Sequence, residues 1–490
     1  MTPSLRSLAL ALVAALSVAM HLKGLSAPLL DYAYHRQCNT ATIARNFHEN
    51  GLNLLRPQVD WEGPGRGRAS TEFPIYMWLV GLLWPLAGLA ETWGRVLSAA
   101  FSALTAVYLF LLVEDDQGPG AALAAGSLFS FIPLEVYFGR TVQPEAMALC
   151  ASAAALFHWR RALAPGRPWG HWAAATLAAF TAVSLKLPYV YLFAPLAWLA
   201  WERLGRAAWR DGRTWGAALL AVGGVAAWYR YSASASLYVV PTQAGQFFGV
   251  LDYGRLGYYV QYQFLSRFPE LAATHMGLLF LGAGAFLAVW RQRRWFYAVW
   301  FLAIAVSLVA GGGYTFFHEY TSLPFAAVNA CLMGAGLSWL IEKAAALRPA
   351  RRGWAWAGLV LLVVAMPVYS FARIQRWYRP TYAFLVQDGR AARAADLVSS
   401  RDDLFVCNER APSVFLFHLR RRGWWVDFQV DLPKAWPRLD ELLAQGARFF
   451  VTEKSGLFQT RDGEVSRTFY ARYPVVYDEG GLLIFKMRQP

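Results

Sequence analysis

Two acidic side chains adjoin long apolar stretches, at places where a carboxylate could act as an acid or a base. Asp31 comes just after the first apolar stretch, which ends at Pro28, and Glu145 precedes another such stretch in YFGRTVQPEAMALC. A pair of carboxylates can supply a general base and a group that orients the acceptor of a transfer reaction. A structural explanation is also open for each, because Asp before a helix caps its free N–H groups and Glu in a first turn is stabilised by the helix dipole.

Cationic and aromatic side chains occupy similar positions further along the chain. Lys186 lies between two apolar stretches in AVSLKLPYVYLF, where it could contact a phosphate or extend towards lipid headgroups. His318, Glu319 and Tyr320 are consecutive in GGGYTFFHEYTSLPF, between two apolar stretches. Consecutive residues of a helix point in different directions, so this triplet by itself does not predict a metal site.

The composition indicates a membrane protein. Of 490 residues, 57% are hydrophobic and only 16% are charged, which is more apolar than the core of a soluble domain requires. The formal charge is +15, but the Lys and Arg residues lie at the ends of apolar stretches, so nucleic acid is not the predicted partner. The four cysteines are far apart and form no CxxC pair, so no zinc site is predicted.

Apolar stretches near the length that a helix needs to cross the hydrocarbon core predict about eleven spans. They fall at residues 5–25, 95–113, 120–137, 146–160, 170–185, 187–202, 215–230, 274–290, 295–311, 320–341 and 354–372. The first resembles a signal peptide but is long for one, so it is predicted to remain as a helix. Most Lys and Arg residues of the short loops fall on one side. The N-terminus is therefore predicted to be cytoplasmic, with Arg140 and Lys186 at the outer face of a bacterial inner membrane.

Three other segments complete the predicted architecture. Residues 75–90 are apolar but short and contain a proline, which predicts an interfacial helix within an outer loop of residues 26–94. A second outer loop, residues 231–273, is rich in Tyr, Phe and Gly. The last part of the chain has strand patterns in DLFVCNE, ARFFVTE and GGLLIFKM, and helical patterns in APSVFLFHLRRRG and PRLDELLAQG. The predicted fold class is a mainly α polytopic membrane module, residues 1–372, followed by a small α/β domain on the outer side, residues 373–490.

The order of these features resembles a known family. The features are an Asp just after the first span, a long outer loop with an aromatic-rich interfacial helix, a PE turn after the third span, a lone Lys before Pro, and HEY before a Leu-Pro span. Together they resemble the C-type (GT-C) glycosyltransferases, in particular the protein O-mannosyltransferase and aminoarabinose transferase group. The resemblance covers about residues 1 to 340. It implies an enzyme that takes its sugar from a polyprenyl-phosphate carrier, dolichyl or undecaprenyl phosphate, without nucleotide sugars.

The resemblance also implies roles for individual residues. Asp31 matches the catalytic carboxylate of the family's first loop, and Glu145 matches the acid of its second loop. Lys186, His318 and Tyr320 match positions near the donor phosphate.

The first loop departs from the family pattern at one position. The family commonly has His-Pro-Pro-Leu-Tyr followed by Trp, where this sequence reads TEFPIYMW with Glu72 in place of the His. The change adds an outward carboxylate that could contact the acceptor or a divalent cation. Glu319 and Arg140 are further candidates for such contacts. No cofactor is predicted beyond that cation.

The mechanism that follows from these roles is transfer of a sugar at the membrane surface. Asp31 would deprotonate an acceptor hydroxyl, which attacks the anomeric carbon with inversion, while Lys186 and His318 balance the charge of the departing lipid phosphate. The expected partners are a polyprenyl-phosphate sugar, a glycan, lipid or protein acceptor, and membrane lipids. On this hypothesis Asp31→Asn abolishes transfer while the protein still folds.

Two other classes of function compete with this hypothesis. A transporter or flippase of a lipid-linked saccharide would also carry polar residues at helix ends. Against it, the sequence shows no internal repeat of spans and no charge near the middle of a span. The second alternative is a non-catalytic scaffold of envelope glycan assembly, whose C-terminal segment would recruit partners.

Overall fold

The computed structural model describes residues 2–65, 67–69, 72–86, 90–235, 253–410, 413–430 and 432–487. Residues 236–252 of the second predicted outer loop lie outside the described residues. The first part of the chain is helical, and its helices are α1 (Pro3–His21), α2 (Tyr34–Asn50), α3 (Ile75–Leu83), α4 (Ala90–Phe129), α5 (Pro133–Phe138), α6 (Glu145–Ala162), α7 (Trp169–Leu185), α8 (Phe193–Leu204) and α9 (Gly212–Ala235).

The helical part continues beyond the gap and ends at residue 374. Its helices are α10 (Tyr253–Gln261), which runs on as a π-helix over Tyr262–Ala273, α11 (Gly277–Ala285), which runs on as a π-helix over Phe286–Arg291, α12 (Trp295–Ala310), α13 (Gly312–Thr315), α14 (Pro324–Ala345) and α15 (Pro349–Ile374).

A helix occupies each interval predicted to span a membrane, but the predicted number of spans is not confirmed. Among the described residues, four helices are long and apolar enough to cross, or five if a pair bent by 103° counts as one span. One of the four is α4, which is interrupted at Gly118, where φ is 82° and Pro119 follows. The predicted spans at residues 95–113 and 120–137 therefore begin in different parts of α4, one before and one after Gly118.

The apolar segment after residue 75 forms the short helix α3 and a 3₁₀ turn, Trp84–Leu86. This helix packs on α2 at Gly81, where a Cβ atom would lie 2.9 Å from the carbonyl oxygen of Ala44 and 3.0 Å from the Cβ of Phe47. A larger side chain at Gly81 would push the two helices apart. The close contact ties the first loop to α2, which carries part of the candidate site.

The C-terminal segment is an α/β unit around one five-stranded sheet. Its strands are β1 (Leu404–Asn408), β2 (Arg422–Val426), β3 (Ala447–Glu453), β4 (Val475–Glu479) and β5 (Leu482–Lys486), and its helices are α16 (Arg390–Val398), α17 (Val414–Leu419), α18 (Leu432–Ala444) and α19 (Glu464–Arg472). The strand order is β2-β1-β3-β5-β4, in which β2, β1 and β3 are parallel and β5 is antiparallel to both neighbours.

The three predicted strands correspond to β1, β3 and β5, and both predicted helical patterns contain a helix. Strands β2 and β4 were not predicted. The sequence of β2 begins inside the pattern APSVFLFHLRRRG, where three consecutive arginines obscure the strand signal. The residues of β4 are only half-buried or exposed, so this edge strand lacks a clear apolar alternation.

The α/β unit packs directly against α2. The Oγ of Ser413 donates a hydrogen bond to the carbonyl oxygen of His35 at 3.2 Å, and Arg45 donates from Nη1 to the carbonyl oxygen of Phe417 at 3.0 Å. The Nε2 of His418 lies 3.8 Å from the Sγ of Cys38. The helix that follows Asp31 is therefore held between the helical part and the C-terminal sheet.

Stability is expected to depend on pH through three groups in this interface. Burial lowers the pKa of His35 to about 4 and that of His418 to about 3, and burial raises the pKa of Glu409 to about 8. Below pH 6.5 the unfolded chain binds protons at both histidines that the folded protein excludes, so acidification destabilises by about 1.4 kcal/mol per pH unit for each histidine. Glu409 acts in the opposite direction. The folded protein keeps the proton of Glu409 up to about pH 8, so the stability that this group contributes is lost as the pH rises above 4.5.

The contribution of these three groups is largest near pH 6.5, and burial of His318, which lowers its pKa to about 4, adds a further loss of stability on acidification. Thermal unfolding midpoints of the purified protein, recorded by tryptophan fluorescence from pH 4.5 to 8.5, should show this maximum. His418→Gln should flatten the acidic side and leave the alkaline side unchanged. A midpoint that rises steadily on acidification to pH 4.5 would contradict the expectation.

Candidate functional site

Asp31 lies in the turn between α1 and α2 and is only 2% exposed. Its Oδ1 accepts hydrogen bonds from Gln37 Nε2 at 2.7 Å and Arg95 Nη2 at 3.2 Å. Its Oδ2 accepts from Arg95 Nη1 at 3.1 Å and Arg140 Nη2 at 2.7 Å. Both arginines are fully buried, so the carboxylate is the shared counter-charge of two guanidinium groups.

This arrangement joins three elements. Arg95 comes from the start of α4, Arg140 from the turn between α5 and α6, and Gln37 from α2. Burial raises the pKa of Asp31, and the guanidinium of Arg140 acts in the opposite direction. Because each oxygen already accepts two hydrogen bonds, Asp31 can accept a proton from an acceptor hydroxyl only after one of these three side chains has moved.

Asp31→Asn is expected to destabilise the protein, because it leaves Arg95 and Arg140 buried without their counter-charge. Removing one partner of a buried ion pair costs about 3 to 5 kcal/mol. The thermal unfolding midpoint in detergent should fall clearly below that of the wild type. Asp115→Asn, which breaks a half-exposed pair with Arg161, is the control and should change little. A variant that keeps its midpoint but loses transfer would instead support Asp31 as the base.

A second group of charged side chains lies at the neighbouring helix ends. The Nζ of Lys186 is 2.5 Å from the Oε1 of Glu145, with side-chain exposures of 13% and 2%. Arg36 and Glu72 form an ion pair, and the charge of Glu145 also acts on Arg36. We refer to one set of residues as the polar cluster: Arg36, Glu72, Glu145, Lys186, His318 and Tyr320.

Each member of the cluster is positioned by the end of an element. Glu145 is the first residue of α6, and Lys186 follows the last residue of α7 in an extended conformation, with φ of −149° and ψ of 106°. The change to extended backbone, together with Pro188 two residues later, turns Lys186 back towards Glu145. The N–H of Phe73 donates to the carbonyl oxygen of Ser184 at 2.9 Å, which holds Glu72 at the same helix end.

The HEY triplet divides between two environments. The ring of His318 contacts those of Tyr314 and Tyr320, at centroid distances of 4.4 and 5.1 Å. The ammonium of Lys186 lies 5.2 Å from the centroid of the Tyr320 ring, so both residues belong to the cluster. Glu319 is directed elsewhere, since its Oε1 is 3.7 Å from Arg267 Nη2.

His318 is neutral at physiological pH in this environment. Burial lowers its pKa to about 4, and the charges of Lys186 and Arg36 act in the same direction. A neutral imidazole can donate one hydrogen bond to a phosphate oxygen. The predicted ability of His318 to balance charge therefore depends on an incoming anion that raises its pKa.

The cluster does not favour a divalent cation in this arrangement. The described residues contain no group of three or more His, Cys, Asp or Glu that could hold a metal ion. The carboxylate of Glu72 is paired with Arg36 and that of Glu145 with Lys186. The suggested cation contacts of Glu72 and Glu319 stay a prediction, and no step below depends on a metal.

Two arginines of the site were not predicted. Neither Arg36 nor Arg95 is among the residues that the sequence singled out. The position of Arg95 at the start of an apolar stretch gave only a weak signal, because an arginine there can also extend to the lipid headgroups. No comparable signal links Arg36 to Glu72 along the sequence.

An apolar cavity lies away from this cluster. It has a volume of about 430 Å³ and is bounded by α6, α7, α8 and α9, with Trp159, Trp209 and Trp215 among its walls. Trp159 is near the last turn of α6, whereas Glu145 is its first residue, which separates the two by about 21 Å along the helix. The cavity is therefore not part of the candidate site.

Part of the sequence is similar to a known protein family. Residues 71–230 match the family model described as dolichyl-phosphate-mannose-protein mannosyltransferase. That interval contains Glu72, Arg95, Arg140, Glu145 and Lys186 but covers only about a third of the chain. No curated protein matches the sequence.

The similarity of the structure extends over almost the whole chain. ArnT from Cupriavidus metallidurans bound to undecaprenyl phosphate has a TM-score of 0.62 at 14% sequence identity, covering 99% of this chain and 98% of that one. The Archaeoglobus fulgidus oligosaccharyltransferase in complex with Zn and sulfate has a TM-score of 0.60 at 12% identity, covering 97% and 72%. The chain has the GT-C glycosyltransferase fold. The resemblance inferred from the order of its sequence motifs is thus confirmed.

The similarity to ArnT also extends over the C-terminal α/β unit, because the comparison covers 99% of this chain. AglB from Archaeoglobus fulgidus, in complex with an inhibitory peptide and a dolichol-phosphate, has a TM-score of 0.57 at 14% identity, covering 98% of this chain and 74% of that one. At these identities the comparisons establish the fold, and the chemistry must be argued from the residues of this chain.

Proposed function

We propose that this protein is a glycosyltransferase that moves a sugar from a polyprenyl-phosphate carrier to an acceptor hydroxyl at the outer face of a bacterial inner membrane. The observation that carries the proposal is the polar cluster, in which paired acids and bases meet at the ends of apolar helices within a GT-C fold. A lipid-linked donor suits this location, because its isoprenoid tail can stay in hydrocarbon while its phosphate contacts the cluster.

The donor phosphate is placed against Lys186 and Arg36. Both cations retain some side-chain exposure, 13% for Lys186 and 24% for Arg36, so an anion can reach them from outside the protein. Hydrogen bonds from cationic groups to phosphate are about twice as strong as neutral ones. His318 and the hydroxyl of Tyr320 add neutral donors beside Lys186.

The general base is assigned to one of two carboxylates. Asp31 is the residue expected from the family resemblance, and this role stays a proposal. The geometry favours Glu145, because its only charged contact within 4 Å among the described residues is Lys186, whereas Asp31 is hydrogen-bonded to two buried arginines. Asp31 then acts as a positioning residue that holds α2, α4 and the α5–α6 turn together.

Binding of the donor would activate Glu145. When the ammonium of Lys186 turns to the phosphate, the carboxylate of Glu145 loses its ion-pair partner and is free to accept a hydrogen bond from the acceptor hydroxyl. Glu145 takes the proton of the acceptor hydroxyl, and the oxygen forms a bond to the anomeric carbon. The bond between that carbon and the phosphate oxygen breaks with inversion, and its electron pair leaves on the lipid phosphate, which Lys186 and Arg36 stabilise.

The membrane arrangement is part of the same proposal. We place the N-terminus in the cytoplasm, the polar cluster and the C-terminal α/β unit on the outer side, and about eleven helical segments across the bilayer, several of them short or broken. The distribution of Lys and Arg between the two sets of loops supports this orientation.

The function is tested with purified protein in lipid nanodiscs and a polyprenyl-phosphate sugar that carries a radioactive label. Turnover should release polyprenyl phosphate and transfer the label to an acceptor, or to water in a slow side reaction. Movement of the intact lipid across a sealed vesicle without cleavage would show a flippase and overturn the proposal. Neither cleavage nor movement with hexose and pentose donors, in the presence of a total envelope extract as acceptor, would also count against it.

A further inference from the structure

A polar cavity lies between α2, the first loop and the C-terminal α/β unit. It has a volume of about 250 Å³, and every residue that bounds it is polar except Val59. Arg45 of α2 is one of its walls, nine residues after Arg36 of the polar cluster. Nine helical residues span about 14 Å and two and a half turns, so the two arginines lie on opposite faces of α2 and only a long, flexible acceptor could contact both places.

Three of the five guanidinium groups in the cavity wall have fixed partners. Arg45 pairs with Asp60 and donates to Phe417. Arg421 is 2% exposed and donates to Asp396 at 2.8 Å. Arg422 donates to the carbonyl oxygen of Pro64 at 3.0 Å and lies 3.4 Å from Asp402. These arginines build the wall and join the α/β unit to α2 and the first loop.

The other two guanidinium groups are available to a ligand. Among the described residues, neither Arg401 nor Arg420 has a side-chain hydrogen bond or an ion pair within 4 Å, and both are exposed; the charge of Arg420 acts at longer range on the carboxyl of Glu91. Arg420 also has a backbone φ of 54° and ψ of 45°, in the left-handed region that costs a residue with a side chain about 1 kcal/mol. The fold therefore keeps a strained arginine at the edge of the cavity.

The cavity is not purely basic. Glu49 has no side-chain hydrogen bond or ion pair among the described residues, and Asp402 is 95% exposed on its side chain beside Arg422. The amide of Asn50 donates to the Oε1 of Gln58 at 2.9 Å, leaving further amide positions at the cavity surface. Free carboxylates would repel a simple anion, but they accept hydrogen bonds from hydroxyl groups. The combination suits a ligand with both an oxyanion and several hydroxyls.

We infer that this cavity binds an acidic saccharide, a sugar that carries a phosphate or a carboxylate, as a second contact for the acceptor of the transfer reaction. The oxyanion is held by Arg401 and Arg420, and the neighbouring hydroxyls contact Glu49 and Asp402. The assignment of this saccharide as acceptor rests on the proposed function. The binding site itself does not depend on the proposed function, because its residues lie outside the polar cluster.

The test measures binding without a donor. Full-length protein in detergent is titrated calorimetrically with glucose 6-phosphate, glucuronate and glucose. Both acids should bind and glucose should bind at least about tenfold more weakly, because charge-assisted hydrogen bonds to an oxyanion are lost. Arg420→Asn should reduce the affinity for both acids about tenfold. Asn tolerates the left-handed backbone, so this variant removes the charge without adding strain. Arg461→Asn, at an exposed arginine of the same unit that does not line the cavity, is the control.

The outcomes separate this inference from the proposed function. Equal affinities for glucose and glucose 6-phosphate, or equal affinities of wild type and Arg420→Asn for the acids, would overturn the inference even if the protein transfers sugar. Selective binding of the acids by a protein that shows no transfer would keep the site and remove the acceptor role. If transfer is active, Arg420→Asn should raise the KM for an acidic acceptor about tenfold and leave kcat unchanged, and an unchanged KM would also remove the acceptor role.

Discussion

Replacing Glu145 by glutamine is expected to lower kcat for sugar transfer by about 10²- to 10⁴-fold, the usual contribution of a general base. The substitution keeps the size of the side chain, but an amide cannot accept the proton of the acceptor hydroxyl. The KM for the donor should change little, because the phosphate contacts Lys186 and Arg36. Initial rates at varied donor concentration, measured in nanodiscs with labelled polyprenyl-phosphate sugar, give both constants.

Two comparisons make this result specific to the base. Glu145→Asp keeps a carboxylate that is one methylene shorter and should retain more activity than the glutamine variant. Glu114→Gln alters a carboxylate four residues before the break in α4, where it pairs with Arg6, and should behave as wild type. If Glu145→Gln keeps the wild-type kcat while folded Asp31→Asn has none, the base is Asp31 and the proposed role of Glu145 is wrong.

Replacing Lys186 by methionine should lower kcat/KM by about 10²- to 10³-fold, as for removal of one group that stabilises developing charge. The methionine side chain fills the same space, but the departing phosphate loses its nearest cation. Lys186→Arg should restore part of the activity, because the charge returns with a different geometry. Single-turnover release of polyprenyl phosphate separates the chemical step from donor binding.

The stability of the Lys186→Met variant must be measured separately, because the substitution leaves the buried carboxylate of Glu145 without its cationic partner. The double variant Glu145→Gln with Lys186→Met removes both charges and should have a higher unfolding midpoint than Lys186→Met alone. The double variant should be no more active than the less active single variant, as expected for groups that act as a unit. A Lys186→Met protein that unfolds like the wild type and transfers at the wild-type rate would contradict the proposed phosphate contact.

Asp31 illustrates how far a residue's role can be inferred from its position. Its place after the first apolar stretch was enough to single it out, and the structure does put it at the end of the helices where the polar cluster lies. Its partners, Arg95 and Arg140, come from distant parts of the chain. No local pattern could reveal that both of its oxygens are engaged, and this engagement changes the proposed role from base to positioning residue.

Packing determines where each side chain of the HEY triplet lies. Side chains of consecutive residues were expected to diverge, and they do, with His318 and Tyr320 in the cluster and Glu319 beside Arg267. The direction of each side chain depends on the 3₁₀ turn that begins at Glu319 and on the surrounding aromatic rings. Such a turn is short and irregular, and its few residues do not form a sequence pattern from which it could be predicted.

By itself, the sequence determined the class of this protein, the approximate positions of its helices, the presence of a small α/β unit and the resemblance to GT-C enzymes. Those properties depend on apolar length, charge at segment ends and the order of motifs, which can be read along a single chain. Only the tertiary structure decided that Lys186 pairs with Glu145, that Arg36 pairs with Glu72, and that an acidic residue after the first span is enclosed by arginines. The physical reason is that ion pairs between distant residues form when helix packing brings their ends together, and packing depends on the whole fold.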